Sequence, residues 1–94
     1  MDGIELLQYE RRVDLTKLRR LRDQLTEFET AIEEWEAILS DPGETNKHPQ
    51  ATQVLDIARR GKAVVQEAIE VCLSVLNHRD EKEEILKQIN KLAD

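Results

Sequence analysis

The sequence predicts an all-α fold: an antiparallel helical hairpin with coiled-coil-like packing. Three observations carry this. Leu18, Leu21, Leu25, Phe28, Ile32, Trp35 and Leu39 follow one another at alternating steps of three and four residues. That is the spacing of a helix packed lengthwise against another helix. A second long run with helical periodicity follows a break that contains Pro and Gly. The composition is 36% charged and 3% aromatic, with three Gly and two Pro, as expected of long charged helices rather than of a sheet.

The first helix is expected over about residues 3–39. Ile4 and Leu7 begin its seam, Arg11 and Asp14 take the next two heptad positions, and the apolar register resumes at Leu18. An eleven-residue step of this kind is a stutter, which locally unwinds a coiled coil. The alternative is a break, with Asp14 or Thr16 capping a fresh helix. Residues 40–50 form the connection. Within it, Asp41-Pro42-Gly43 is turn chemistry, because Pro disfavours helix at the residue before it and Gly tolerates a tight turn. Pro49 suits a first helical turn, where its missing N–H is not needed.

The second helix is expected over about residues 51–92. Its apolar set is wide and includes Val54, Leu55, Ile57, Ala58, Val64, Val65, Ala68, Ile69, Val71, Cys72, Leu73, Val75 and Leu76. A single partner helix needs only a narrow stripe, so this breadth implies two or more neighbours. The pattern turns charged between Asn77 and Glu84 and recovers at Ile85, Leu86, Ile89 and Leu92. Either the helix continues through this stretch, or it breaks near 77–80 and Asp80 with Glu83 caps a short third helix. Gly61 either permits close helix approach or weakens the helix by about 1 kcal/mol relative to Ala.

Folding the two helices about Thr45 pairs positions whose numbers add to about 90. Leu18 then meets Cys72, Leu25 meets Val65 and Trp35 meets Leu55. Charges agree: Glu27 and Glu29 fall opposite Arg59, Arg60 and Lys62; Arg19, Arg20 and Arg22 opposite Glu67 and Glu70; Arg11 and Arg12 opposite Asp80 and Glu81. Such pairs are individually weak but penalise misalignment. The polar interruptions at 11–14 and 77–82 fall at one height, which predicts a polar layer across the hairpin or a point where the helices splay.

Ninety-four residues allow one small domain, here a single hairpin over 1–94. A two-helix hairpin encloses no core, so self-association into a dimeric four-helix bundle is the simplest completion. The expected interface comprises Leu18, Leu21, Leu25, Phe28, Ile32, Trp35 and Leu39 with Ile57, Val64, Val65, Ile69, Val71 and Leu76. A different helical protein partner is the other solution.

The chain offers little for catalysis. Cys72 is its one cysteine, so no internal disulfide or thiolate cluster exists. It lies among Val71, Leu73 and Val75 with no base beside it. Gly3, Gly43 and Gly61 are too scattered for a phosphate loop. His48 and His78 are isolated, and the His78–Glu81 spacing supplies two metal ligands at most. The expectation is a non-enzyme with no cofactor and no metal.

The net charge of −6 argues against a general nucleic-acid role. The N-terminus lacks signal-peptide character, and no stretch approaches the roughly 18 apolar residues of a membrane span. A cytoplasmic location is therefore expected.

Two charged surfaces remain. Residues 27–44 carry seven acidic and no basic residues, so Glu33, Glu34 and Glu36 form a candidate partner surface. Arg19, Arg20 and Arg22 lie within the one basic block, 11–22, an alternative anion-binding surface for a small nucleic-acid-associated protein. Two helices and a mid-chain Trp in a chain of this length also resemble the WXG-type secreted hairpin proteins, which would imply a secretion substrate or chaperone. Their signature is Trp-x-Gly in the bend, whereas Trp35 is followed by Glu36-Ala37 and precedes the bend. No function is carried over from that resemblance. The leading expectation is a helical interaction module: an adaptor, regulator or assembly factor.

Overall fold

The computed structural model describes residues 2–93. Two helices, α1 (Gly3–Ser40) and α2 (His48–Ala93), are joined by a short 3₁₀ segment, Pro42–Lys47. They lie side by side and antiparallel in a rod of 74 × 16 × 14 Å. Among the described residues no helix is long and apolar enough to cross a membrane.

Both helices are continuous where a break was an alternative. Thr16 caps nothing: its hydroxyl donates to the Arg12 carbonyl one turn back, at 3.0 Å. α2 likewise runs through 77–80, so no separate third helix forms among the described residues. The cap of α1 is instead Asp2, whose carboxylate accepts the Glu5 N–H at 2.8 Å. This satisfies one of the free donors of the first turn.

The connection is tighter than the expected 40–50 loop. Asp41 ends α1 and accepts the Gly43 N–H at 2.9 Å, turning the chain at Pro42. Helix resumes at His48, before Pro49 rather than near 51. Pro49 is tolerated there because the first-turn N–H groups have no helical acceptor. The ring of His48 reaches back to the end of α1, its Nε2 lying 3.1 Å from both the Ile38 and the Asp41 carbonyl oxygens.

The predicted alignment is observed. Arg11 pairs with Asp80 at 3.2 Å, Gln8 donates to Glu83 at 2.9 Å, and Phe28 lies on Gly61. The numbers in each pair add to about 90, as level neighbours in the expected hairpin should. The inward row of α2 is an unbroken heptad: Ala51, Leu55, Ala58, Lys62, Val65, Ile69, Cys72, Leu76, Arg79, Glu83 and Leu86 are buried or half-buried. Opposite, Leu18, Leu21, Leu25, Phe28, Ile32 and Trp35 face inward as expected. Leu18, Cys72 and Leu76 form a buried cluster, with Leu21 and Ile69 against it, and Leu55 nearer the tip is the most deeply buried large side chain.

Two seam assignments change. At the tip, Ile38 turns inward and Leu39 is exposed. A final step of three replaces the expected step of four, as the helix end tightens into the turn. In the polar stretch, Glu10 rather than Arg11 shares the inward row with Asp14. Arg79 of α2 spans that layer, its Nε 2.5 Å from Asp14 and its other end paired with Glu10. The helices therefore stay together through the polar layer instead of splaying.

Candidate functional site

The two open faces of the hairpin differ in chemistry. One carries the residues that follow the inward row by one position. On α1 these include Gln8, Arg11, Arg19, Arg22, Glu29, Glu33 and Glu36; on α2, Asp56, Arg59, Gln66, Glu70 and Asp80. Two ion pairs cross the hairpin on this face, Arg59 with Glu36 at 3.0 Å and Arg11 with Asp80 at 3.2 Å. Leu15, Leu39 and Leu73 are its exposed large apolar residues.

The other face carries the residues that precede the inward row by one position. On α2 these are Val54, Ile57, Gly61, Val64, Ala68, Val71 and Val75, again at alternating steps of three and four. The breadth of the apolar set of α2 thus resolves into two narrow heptad rows. One packs on α1; the other lies about 100° away around the helix, with Val54, Gly61, Ala68 and Val75 half-buried and Ile57, Val64 and Val71 uncovered. Ile57, Val64 and Val71 are 65%, 67% and 60% exposed. These are seam-quality residues in seam-quality spacing, left in solvent.

Grooves run along this face where the two helices meet. Lys17 of α1 borders one beside Ala68, Val71 and Val75, and Gln24 and Glu27 border the next beside Ile57, Gly61 and Val64. Arg60 and Glu67 edge the stripe on its outer side. Arg60 is held by Asp56 one turn earlier, and hydrogen bonding to that carboxylate raises the guanidinium pKa further. Toward the free ends, Leu6, Tyr9 and Val13 of α1 continue the same row and are exposed.

The expected interface therefore divides. Leu18, Leu21, Leu25, Phe28, Ile32, Trp35, Val65, Ile69 and Leu76 are buried or half-buried within one hairpin. Ile57, Val64 and Val71 project outward.

The charged candidates also divide. Glu33 and Glu36 sit on the ion-paired face and Glu34 on the flank nearer the apolar one. The acidic tip is not uncompensated, since Arg59 neutralises Glu36 and Lys47 pairs with Glu44 at 3.2 Å. In the basic block, Arg11 is engaged by Asp80. Arg19, Arg20 and Arg22 have no ion-pair partner among the described residues, and Arg20 lies on the opposite face from Arg19 and Arg22.

His78 lies 3.9 Å from Glu81 on the exposed surface. Among the described residues no group of three His, Cys, Asp or Glu side chains is placed to hold a metal ion. The Cys72 thiol is buried and points at the Asp14 carbonyl, 3.4 Å away. Comparisons with protein-family models, curated proteins and solved structures find no match to the chain.

Proposed function

We propose that this protein is a non-enzymatic helical interaction module, an adaptor, regulator or assembly factor. It associates through the uncovered face of the hairpin, either as a homodimer or with a helical partner. One observation carries the reading: α2 bears a second heptad row of apolar residues in which Ile57, Val64 and Val71 are exposed one above another, while the opposite face of the hairpin is mostly charged and is bridged by two ion pairs. Leaving such a row in water forfeits about 25 cal/mol per Å² of apolar surface that a packed helix would recover. The offset of about 100° between the two rows suits a helix at the corner of a four-helix bundle, which has one neighbour on each of two adjacent sides.

The test is sedimentation equilibrium over about 1–100 μM, a range in which a dimer of moderate affinity dissociates. The wild-type chain should exceed monomer mass. Val64→Asp should return it to a folded monomer, because Val64 is 67% exposed in the single hairpin and an aspartate there stays in water. Loss of helicity in that variant would show instead that Val64 belongs to the core. A wild-type chain that stays monomeric alone, and recruits no helical partner through this face, would reject the proposal.

A further inference from the structure

Resting on that reading, we infer that the occupant of the uncovered face is a second copy of this chain. It docks about a two-fold axis that crosses both helices at right angles, level with Val64 and with the Gln24–Glu27 turn. Two independent patterns lead to the same axis.

The first is apolar. The exposed row of α2 is symmetric about Val64. Reversed upon itself, it places Ile57 on Val71 of the second copy, Val54 on Val75, and Gly61 on Ala68. A two-fold contact requires this kind of self-complementarity. The same reversal brings Arg60 at the edge of the stripe to Glu67 of the second copy, twice per dimer. Arg60 is held in the single hairpin by Asp56, an exposed pair on one helix. Such pairs are weak, so the guanidinium is free to turn toward a second carboxylate.

The second pattern is charge. Val64 is level with the middle of α1, because level positions add to about 90. Between Val13 and Ala37, the row of α1 that borders the stripe has a charged stretch that reads Lys17, Arg20, Gln24, Glu27, Ala31, Glu34. It is basic on one side of its midpoint and acidic on the other. That midpoint falls between Gln24 and Glu27, at the height that the apolar row of α2 sets independently. Reversed upon itself, the row sets Lys17 against Glu34 of the second copy and keeps like charges apart. The other two-fold arrangement, with α1 over α2 of the second copy, would lay Lys17 and Arg20 on Ala68 and Val71. That arrangement desolvates cations without partners.

Charge exchange tests the register. Arg60→Glu places two acidic side chains together at each symmetric contact, and Glu67→Arg places two basic ones there. Each variant alone should show a dimer dissociation constant raised about tenfold or more, with helicity unchanged. Mixed in equal amounts, the two variants regenerate opposite charges at both contacts. The mixture should return to within about threefold of wild-type affinity.

A second measurement does not depend on charge. Val64→Cys combined with Cys72→Ala should oxidise readily to a disulfide dimer, because the two thiols meet on the axis. Leu73→Cys with Cys72→Ala, on the opposite face, should not.

Four outcomes are decisive. Rescue on mixing together with selective cross-linking at 64 supports the assignment. A wild-type dimer that Val64→Asp separates, but whose charge variants fail to rescue one another, overturns this register and leaves the interaction face standing. Equal cross-linking at 64 and 73 also overturns the register. A wild-type chain that is monomeric throughout overturns the second copy as occupant.

Discussion

The aromatic ring of Phe28 rests directly on the backbone of Gly61. A β-carbon at position 61 would lie 2.4 Å from Phe28 Cε1 and 2.5 Å from Cζ. By register Phe28 stands opposite Lys62, whose ammonium must reach water and whose thin stem leaves room beside it. The ring instead fills the space that the absent side chain of the preceding residue leaves. Gly61 is therefore present for close approach, not for backbone freedom, since its φ is negative like that of its helical neighbours.

Gly61→Ala should accordingly destabilise the protein. Ala would favour the helix by about 1 kcal/mol, but overpacking of this kind costs about 1–3 kcal/mol. The net expectation is a loss of up to about 2 kcal/mol, read as a lower urea midpoint at unchanged slope. In a Phe28→Leu background the same substitution should become neutral or stabilising, as the obstacle is smaller. Additivity of the two substitutions would refute the contact.

The Arg79 layer yields a prediction of opposite sign for single and combined changes. Arg79→Leu leaves Glu10 and Asp14 facing the seam with no cation, so it should cost about 1–3 kcal/mol. Replacing Arg79, Glu10 and Asp14 together by Leu continues the apolar seam. That triple variant should match or exceed wild-type stability, because a partly buried ionic cluster seldom outperforms well-packed apolar residues. Thermal melts of the two variants check this. A triple variant less stable than Arg79→Leu would show that the cluster contributes more than its desolvation removes.

Much of this architecture was legible in the spacing of apolar residues. The seam from Leu18 to Trp35 was visible because its spacing is regular, and folding about Thr45 set the register. Of the charge oppositions expected with it, Arg11–Asp80 forms, whereas Arg59 and Arg60 pair with Glu36 and Asp56 instead of Glu27 and Glu29. The polar layer was anticipated from two interruptions at one height, but not the choice of Glu10 over Arg11. Heptad counting treats the stutter as symmetric, whereas Arg79 can reach only the carboxylates on its own side.

The second heptad row of α2 was also present in the sequence, within a set read simply as wide. Sorting that set by remainders of seven separates Val54, Val64 and Val71 from Leu55, Val65 and Cys72. The cap at Asp2 could have been found from Asp2 and Glu5, which stand in capping-box spacing. The neutralisation of Glu36 was less accessible. Arg59 lies about one turn further from the tip than simple level pairing with Glu36 suggests, and long side chains reach that far.

Acid should weaken the free end of the hairpin through Glu83. The Gln8 amide donates to this carboxylate, and Lys87 and Arg11 add favourable charge; burial opposes them but is outweighed. Its pKa in the folded protein therefore lies below the usual value for Glu of about 4.3. A depressed pKa contributes stability that is present above the unfolded value and lost as pH falls through the folded one. Glu83→Gln should thus show a smaller loss of stability than wild type between about pH 5 and pH 3. Gln8→Leu should move the Glu83 carboxyl titration upward, which carbon-detected NMR reads directly. An unmoved titration would mean that Gln8 does not set it.

The last prediction concerns the corner. Ile38 and Asp41 carbonyl oxygens both face Nε2 of His48 at 3.1 Å. Carbonyls only accept, so this nitrogen carries the proton and the ring donates to the end of α1. The contact spans ten residues and closes the turn that Pro42 and Gly43 begin. His48→Ala removes this second donor, while each carbonyl keeps a backbone one, the Asp41 N–H on Ile38 at 3.2 Å and the Glu44 N–H on Asp41 at 3.1 Å, so the expected loss is about 0.5–1.5 kcal/mol. His48→Gln keeps a donor on a shorter reach and should retain part of that. Beyond stability, the Ala variant should open more readily into a chain with α1 and α2 in line, since an opened hairpin can exchange helices with a second copy. Spin labels at Leu25 and Val65, with Cys72 replaced, would report this within a single chain diluted into unlabelled protein. The closed hairpin gives one short distance. An added population at several tens of ångströms in His48→Ala, absent in His48→Gln, is the expected result. Identical distance distributions in all three proteins would show that Asp41-Pro42-Gly43 holds the corner without the histidine.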